Sequence, residues 1–312
     1  MKRRSVTAAM MVVSLASALA AAEQIARYVY RDAHSSANAT DYFGTRAAAV
    51  RTNHFGFRDV EFGPKSPHRY RIVIVGDSLT WGVGIDERER FSNLLEQVLG
   101  PQYEVLNFGR PGNNLPEHLL VLEQALAVAP DFVLLQLYPN DFETRDMRRP
   151  VPYTLLPWPV LNQRLTESSV VYNMLAGEWR SIQETVGISE SYAHYMRREL
   201  GDPKSPHAIQ TAGMLRQFIE RARAAGVPIG IVFFPWLDSL GKSYSLAFLH
   251  DRVGQVCTVE QIRCVDLRAD FAAGFRTAQS VWVSHWDSHP NARANRRAVN
   301  ELVATFAGHW HE

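Results

Sequence analysis

The chain has 312 residues, enough for one large or two small domains, and its 46 % hydrophobic and 21 % charged content is ordinary for a soluble globular protein. Its 33 basic and 32 acidic residues leave a formal net charge of +1, which excludes the basic surplus typical of nucleic-acid-binding proteins. The sequence contains no internal repeat and no low-complexity tract.

The amino terminus has the pattern of an export signal. The basic residues 2–4 precede an uncharged stretch, residues 5–22, that is rich in Ala, Met and Val, and Ala18-Leu19-Ala20 is a site of the kind that signal peptidases accept. Residues 1–22 are therefore predicted to be a cleaved signal peptide or, since their apolar length is the lower limit for a bilayer, a membrane anchor. In either case we predict an exported protein, periplasmic or secreted, with a connector over residues 23–51 and any membrane attachment through residues 5–22.

The two cysteines, Cys257 and Cys264, lie seven positions apart. In an exported protein this spacing is compatible with a small local disulfide, and the alternative is two buried free thiols. Two cysteines at this spacing do not make a zinc site.

Strands and helices are predicted to alternate along most of the chain. The β-branched run from Arg71 to Val75 predicts a buried strand. Further strands are predicted at Tyr103–Phe108, Phe132–Tyr138, Val227–Phe234 and Arg263–Leu267, and helices at Glu87–Leu99, Pro116–Ala129, Thr211–Ala225, Ser243–Val256 and Asn291–Ala307. Such alternation is typical of βαβ units, and hence of a parallel sheet covered by helices on both faces.

The alternation breaks between residues 142 and 206, where prolines and aromatic residues interrupt amphipathic segments. We predict one α/β domain over residues 52–312 with an insertion at about 142–206. Because the insertion follows a strand end, it is expected to form a lid or one wall of a cleft, and the alternative is a packed structural excursion.

The segment Gly76-Asp77-Ser78-Leu79-Thr80 places a serine directly after the first strand. The carboxyl ends of parallel strands are where α/β sheets bind their ligands. A serine hydroxyl is a weak nucleophile, so this interpretation needs a histidine base and hydrogen-bond donors for an oxyanion elsewhere in the chain. The alternative is that Ser78 caps the next helix.

Three later segments complete a pattern that resembles the SGNH, or GDSL, hydrolase superfamily. They are Asn107-Phe108-Gly109-Arg110-Pro111-Gly112, Tyr138-Pro139-Asn140-Asp141 and His285-Trp286-Asp287-Ser288-His289-Pro290-Asn291. The segment Thr52–Asp59 extends the resemblance upstream, although its role does not follow from the sequence. The resemblance, over residues 52–307, implies a flavodoxin-like three-layer α/β/α sandwich with a parallel sheet. The Gly-x-Ser-x-Gly elbow of α/β-hydrolases is absent from the sequence, which argues against that rival fold.

The resemblance also implies roles for five residues. Ser78 matches the nucleophile, His289 the general base and Asp287 the orienting acid, while the Ser78 amide, Gly109 and Asn140 match the oxyanion donors. Turn formation is the alternative for Gly109 and Asn140, and we expect Gly112 to be a turn residue. Two departures stand out: Tyr138 replaces a usual glycine, and Trp286 occupies the usual position of the acid.

A metal cluster is the alternative interpretation of His285-x-Asp287-x-His289, because alternate residues of an extended segment share a face. No other segment offers a further ligand, and a metal site would leave Gly-Asp-Ser without a role. We therefore predict neither metal nor cofactor, and we expect His285 to be a cleft wall or a surface residue.

Together these features predict an exported serine ester hydrolase that works through an acyl-enzyme. Acetylated glycans and lipid or small acyl esters are the expected substrates, and the oligomeric state stays open. An O-acyltransferase that modifies an envelope polysaccharide is the first alternative, and a non-catalytic glycan-binding module is the second. The complete set of Ser, Gly, Asn and His segments argues against a pure binding module.

Overall fold

The protein is described from a computed structural model, which covers residues 2–29, 50–148, 154–241, 244–284 and 287–310. The chain forms two compact units: one contains residues 2–29 and 154–191, and the other contains the remaining described residues. Across the described residues we find no helix whose length and apolar character would let it cross a membrane.

The larger unit is built on a five-stranded parallel sheet. Its strands are β1 (Tyr70–Gly76), β2 (Tyr103–Gly109), β3 (Phe132–Leu137), β4 (Ile229–Phe233) and β5 (Arg263–Asp266), in the order β2-β1-β3-β4-β5. A separate antiparallel hairpin pairs β6 (Trp282–Ser284) with β7 (Asp287–Pro290). The strand order is that of flavodoxin-like sheets, as the sequence predicts, and its topological switch point lies between β1 and β3.

Helices cover both faces of this sheet. Within the larger unit they are α2 (Ser78–Trp81), α3 (Phe91–Leu99), α4 (Leu115–Leu126), α7 (Tyr192–Leu200), α8 (Pro206–Ala224), α9 (Ala247–Val259), α10 (Arg268–Gly274) and α11 (Ala292–Phe306). Val73 and Val75 of β1 belong to the core layer shared with α4, α8 and α9, whereas Ile72 and Ile74 belong to the layer shared with α3 and α11. Successive side chains of a strand point to opposite faces, so the sheet is the middle of three layers.

The bounds of all five predicted helices shift in the structure, and two of the shifts have an identifiable cause. The predicted helix Glu87–Leu99 is a short 3-10 turn followed by α3, because Arg90 adopts an extended backbone and sends its guanidinium into the interior. The predicted helix Thr211–Ala225 begins earlier, at Pro206, where the Ser205 hydroxyl caps it by accepting the N–H of Ala208. The hairpin of β6 and β7 was not predicted at all, since such short strands carry no recognisable period.

The smaller unit consists of α1 (Lys2–Val29), α5 (Pro159–Ser168) and α6 (Val170–Thr185). Glu23 near the end of α1 accepts hydrogen bonds from the Val170 and Val171 amides, at 3.0 and 3.1 Å, and from the Ser169 hydroxyl. A carboxylate at the amino end of a helix is stabilised by the free N–H groups there. Of the insertion predicted at 142–206, residues 154–191 thus belong with α1, and residues 142–148 and 192–206 belong to the larger unit.

Cys257 of α9 and Cys264 of β5 form a disulfide, which decides between the two alternatives that the sequence left open. It joins the end of the helix to the strand that follows it.

Candidate active site

Ser78 lies at the switch point of the sheet. Gly76 at the end of β1 pairs with Gly109 of β2, and Val75 pairs with Leu135 of β3, so the loops after all three strands emerge at one edge. Ser78 is the first residue of α2, and the cap of this helix is Asp77, whose Oδ1 accepts the Leu79 N–H at 2.9 Å. The capping role considered for Ser78 therefore belongs to its neighbour, and the Ser78 hydroxyl is available for another partner.

The structure brings Ser78, His289 and Asp287 together in one chain of hydrogen bonds. Nε2 of His289 lies 2.9 Å from Oγ of Ser78, and Nδ1 of the same ring is hydrogen-bonded to Oδ1 of Asp287. Asp287 is 7 % exposed, whereas Ser78 and His289 are half-buried. In this arrangement the carboxylate holds the imidazole tautomer that accepts the serine proton at Nε2.

Asp287 reaches His289 from two residues away on the same strand. The sequence suggests that the chain must curl for this contact, yet both residues lie in β7, where alternate side chains share a face. Oδ1 of Asp287 accepts the backbone N–H of His289 at 3.0 Å and also the ring Nδ1. The Asp287 carboxylate therefore turns toward His289 along the same strand and orients both the backbone and the imidazole ring of that residue.

Three carboxylates shape the electrostatics of the site. Burial disfavours the charged imidazole, but the hydrogen bond and charge of Asp287, followed by the charges of Asp77 and Asp238, outweigh it and raise the pKa of His289 above its usual value. Complete burial, and then the charge of Asp141, raise the pKa of Asp77 well above its usual value. The site thus favours a proton on the histidine and disfavours charge on the carboxyl group next to the serine.

The predicted role of Gly109 as an oxyanion donor stays a prediction. Its N–H already donates to Oδ1 of Asn107 at 2.9 Å, in a buried position. A Cβ at Gly109 would lie 2.4 Å from the Trp81 backbone nitrogen, so the glycine is needed for the close approach of β2 to the nucleophile helix. Gly112 lies in a turn, as predicted, with φ near +78° and with open space around its α-carbon.

Asn140 lies just after β3, in the 3-10 turn Pro139–Phe142, and it is half-buried. Its Oδ1 is buried and has no hydrogen-bond partner among the described residues. Asn140 lies at the edge of the sheet where Ser78 lies, and its role as an oxyanion donor stays a prediction. Tyr138, which departs from the usual glycine, is held through its hydroxyl, which accepts the Leu237 N–H at 3.1 Å.

Two of the three residues in the metal interpretation, Asp287 and His289, lie within the described part of the chain. Both ring nitrogens of His289 are engaged, one by Ser78 and one by Asp287. No group of three His, Cys, Asp or Glu side chains within the described ranges is placed to hold a metal ion. His285 lies outside those ranges, and its predicted place in a cleft wall stays a prediction.

Gln136 is a residue of the site that the sequence analysis missed. It is buried in β3, and its Oε1 accepts the Asp77 N–H at 3.2 Å and the Thr80 hydroxyl at 2.7 Å. These bonds brace both ends of the short turn that carries Ser78. A single polar residue within the apolar strand Phe132–Leu137 was the signal that could have identified it.

Comparison with known proteins finds one matching family. The profile of the GDSL-like lipase/acylhydrolase family matches residues 74–297. Among curated proteins, none matches the chain significantly. Similar solved structures include a lipolytic protein of the G-D-S-L family from Veillonella parvula, at 14 % identity and a TM-score of 0.48, with 76 % of this chain and 98 % of that chain covered. Another is TesA, at 18 % identity and a TM-score of 0.47, with 76 % of this chain and 98 % of that chain covered. A third is the psychrotrophic esterase EstA from Pseudoalteromonas sp., at 14 % identity and a TM-score of 0.46, with 78 % of this chain and 99 % of that chain covered.

The class defined by the three-layer fold and the Ser–His–Asp arrangement is that of serine ester hydrolases with a flavodoxin-like sheet. Within that class, the profile match over most of the chain shows that this protein belongs to the GDSL-like lipase/acylhydrolase family.

Proposed function

We propose that the protein is an exported ester hydrolase that transfers the acyl group of its substrate to Ser78 and then to water. The observation that carries the proposal is the hydrogen-bonded chain from Ser78 Oγ through His289 to Asp287, with 2.9 Å between Oγ and Nε2. That distance allows direct proton transfer from the hydroxyl to the imidazole.

The reaction follows from this geometry in two halves. Ser78 Oγ attacks the ester carbonyl carbon while His289 Nε2 takes the hydroxyl proton, and the carbonyl electrons move to the oxygen. The oxyanion collapses, the carbon–oxygen bond to the alcohol breaks, and His289 returns the proton to the departing alcohol. Water then attacks the acyl-enzyme by the same route, with His289 as base and then acid, and Ser78 is restored.

We assign the oxyanion contacts to the Ser78 backbone amide and to Asn140. Both lie at the carboxyl edge of the sheet, Ser78 at the start of α2 after β1 and Asn140 in the 3-10 turn after β3. The third donor that the resemblance implies is Gly109, whose N–H must leave Oδ1 of Asn107 to contact the oxyanion. Donors of this kind stabilise the charge that develops on the carbonyl oxygen.

Acetylated glycans are the substrates that we favour, on the basis of residues that follow β3 and β4. Tyr138 and Trp236 are half-buried aromatic residues after β3 and β4, and the charge of Asp238 acts on His289. Aromatic faces together with a carboxylate acceptor can hold a sugar ring and its hydroxyl groups. Esters of lipids or small acyl groups are the other candidate class.

Two observations support an exported location. Residues 2–22 have a basic and then apolar pattern, and Cys257 and Cys264 are joined in a disulfide, a bond that persists in oxidising compartments. Fractionation of producing cells with an amino-terminal sequence determination tests this part. A cytosolic chain that keeps residues 1–22 would overturn it, and an exported chain that keeps them would place the protein at the membrane.

The activity is tested with p-nitrophenyl esters of increasing acyl length and with an acetylated oligosaccharide, each with and without a free sugar acceptor. We expect acyl release to water from the acetyl compounds, and labelling of Ser78 alone by a serine-directed phosphonate. Acyl transfer to the sugar in preference to water would instead identify an O-acyltransferase. Sugar binding without turnover or labelling would identify a glycan-binding module.

A further inference from the structure

The segment Asn53–Asp59, whose role did not follow from the sequence, lies against the site and is folded by its first residue. Asn53 is buried, and its Oδ1 accepts the N–H groups of Phe55 and Phe57 at 3.1 and 3.0 Å. This turn directs Arg58 and Asp59, which are 4 % and 7 % exposed, toward the protein interior. A segment that buries two charged side chains must supply each of them with partners.

Arg58 supplies donors to the end of the nucleophile helix. Its Nη2 donates to the carbonyl of Ile85 at 2.9 Å, and its Nη1 donates to the carbonyl of Gly82. Helix α2 has only four residues, so it cannot hold its own geometry, and the carbonyls after it lack partners within the helix. The guanidinium thus fixes the loop on which the position of Ser78 depends.

Asp59 holds the neighbouring strand end in the same way. Its Oδ2 accepts the Asn107 N–H at 2.7 Å. The Asn107 side chain in turn donates to the Thr80 carbonyl at 2.5 Å and accepts the Gly109 N–H. The Asp59 carboxylate therefore holds Asn107, and the Asn107 side chain connects the Gly109–Gly112 loop with the helix that carries Ser78.

Arg90 locks the two residues into one cluster. Its guanidinium is fully buried, donates to the Arg58 carbonyl and lies 4.0 Å from Oδ1 of Asp59. Gly82 is required beside it, because φ is +79° and a Cβ there would lie 2.4 Å from Cγ of Arg90. The loop after α2 is therefore in close contact with Arg90 and hydrogen-bonded to Arg58.

We propose that Arg58 and Asp59 are positioning residues that set the geometry of the nucleophile and of the oxyanion loop, while touching neither substrate nor the reacting atoms. The inference rests on the proposed role of Ser78. A misplacement of about 1 Å at a reacting group can lower a rate by about 10²-fold, so the loss of this cluster acts on kcat and leaves KM nearly unchanged.

Arg58→Lys is the variant that tests the proposal, because a single ammonium group cannot donate to two carbonyls in a fixed fork. We expect kcat to fall by about 10- to 100-fold and KM to change by less than about threefold. The rate of Ser78 labelling by the phosphonate should fall by the same factor as kcat, which reports the nucleophile without any substrate contact.

Arg71→Lys is the matched control. Arg71 is 1 % exposed, at the opposite end of β1, and it donates to the carbonyls of Val128 and Gly63 and to Glu104. This variant should lose as much thermal stability as Arg58→Lys and keep kcat within about twofold of the wild type.

The outcomes separate the two proposals. If the wild type neither hydrolyses esters nor reacts with the phosphonate, the proposed function is wrong and this inference falls with it. Two results would overturn the inference alone, with an active wild type. One is a wild-type kcat in Arg58→Lys, measured at a temperature well below its melting temperature. The other is a loss of kcat in Arg71→Lys as large as that in Arg58→Lys. Should Arg58→Lys fail to fold, Asp59→Asn, which keeps size and one acceptor, must show a several-fold loss of kcat at nearly constant KM.

Discussion

The charged side chains at the two ends of the central sheet differ in whether they have hydrogen-bond and ion-pair partners. At the amino end, Arg71 donates to Glu104 at 2.6 Å, and Asp131 accepts the Arg71 N–H at 2.8 Å and pairs with Lys65. At the carboxyl end, Oδ2 of Asp77 is buried without a hydrogen-bond partner among the described residues, and the buried Oδ1 of Asp141 lies 3.3 Å from Nε2 of His118. One end neutralises its charges, and the other keeps carboxylates in an environment that disfavours them.

This difference shows where the fold gives up stability for chemistry. Buried polar groups are normally hydrogen-bonded, because an unsatisfied one costs about 1–3 kcal/mol. His118 lies 3.3 Å from Asp141 and lowers the pKa of that carboxyl, while burial, the larger influence, raises it. Burial of these carboxyl groups therefore costs stability at the carboxyl end of the sheet, where Ser78 lies.

The largest effect is expected when the base is removed from the carboxyl end. His289→Ala should lower kcat by roughly 10⁴- to 10⁶-fold, as should Ser78→Ala, and the double variant should be no worse, since the two groups act as one unit. Steady-state kinetics of all three variants tests this, with thermal unfolding to show that the fold is intact. An additive double variant would mean that His289 acts elsewhere.

A smaller loss is expected when the orienting carboxylate is made neutral. Asp287→Asn should lower kcat by roughly 10²- to 10⁴-fold, because the imidazole loses its tautomer and its counter-charge. Asp287 is what raises the pKa of His289 against burial, so the acidic limb of the kcat/KM profile should move to lower pH. A variant with more than about half of the wild-type kcat would reduce the site to a Ser78–His289 dyad.

The amide at the end of β3 should contribute less than the triad. Asn140→Ala is expected to lower kcat by on the order of 10²- to 10³-fold with a smaller change in KM, because an oxyanion donor acts mainly in the transition state. Kinetics with one acetyl ester measures the split between the two constants. An effect on KM alone would assign Asn140 to substrate binding.

The smallest expected effects are on thermal stability. Neutralising a carboxylate should raise the melting temperature at the carboxyl end of the sheet and lower it at the amino end. The folded-state pKa of Asp77 is raised to about 7, so this carboxyl costs stability once the pH rises above its usual pKa of 3.8, and the full cost is reached above the folded-state pKa. Asp77→Asn, which still accepts the Leu79 N–H, should therefore raise the melting temperature by a few degrees at about pH 8 and by little at about pH 4.

Asp131→Asn is the counterpart at the amino end. It removes the charge that pairs with Lys65 and should lower the melting temperature slightly at about pH 8, since partly exposed pairs contribute about 1 kcal/mol or less. Thermal unfolding of both variants at both pH values measures the contrast. A loss of stability in Asp77→Asn at the higher pH would contradict our account of the carboxyl end.

Sequence patterns located the residues of the site but not the bonds that their backbone groups make. Ser78 and Asn140 were placed at one edge because parallel strands end together, and the structure has them there. Whether the Gly109 N–H faces a substrate depends on the side chain of Asn107, and no spacing reveals that rotamer. The fold-back of Asp287 onto His289 likewise depends on a hairpin too short to be predicted.

The contacts of Asn53–Asp59 bear on where a shortened version of this enzyme must begin. The family profile starts at residue 74, inside β1, and a chain trimmed to that boundary would retain Ser78, Asp287 and His289. It would lose Phe57, whose buried ring packs 4.7 Å from that of Phe108, and both charged partners of the active-site loops. For protein engineering, the smallest useful enzyme therefore starts upstream of Asn53, well before the first strand of its own sheet.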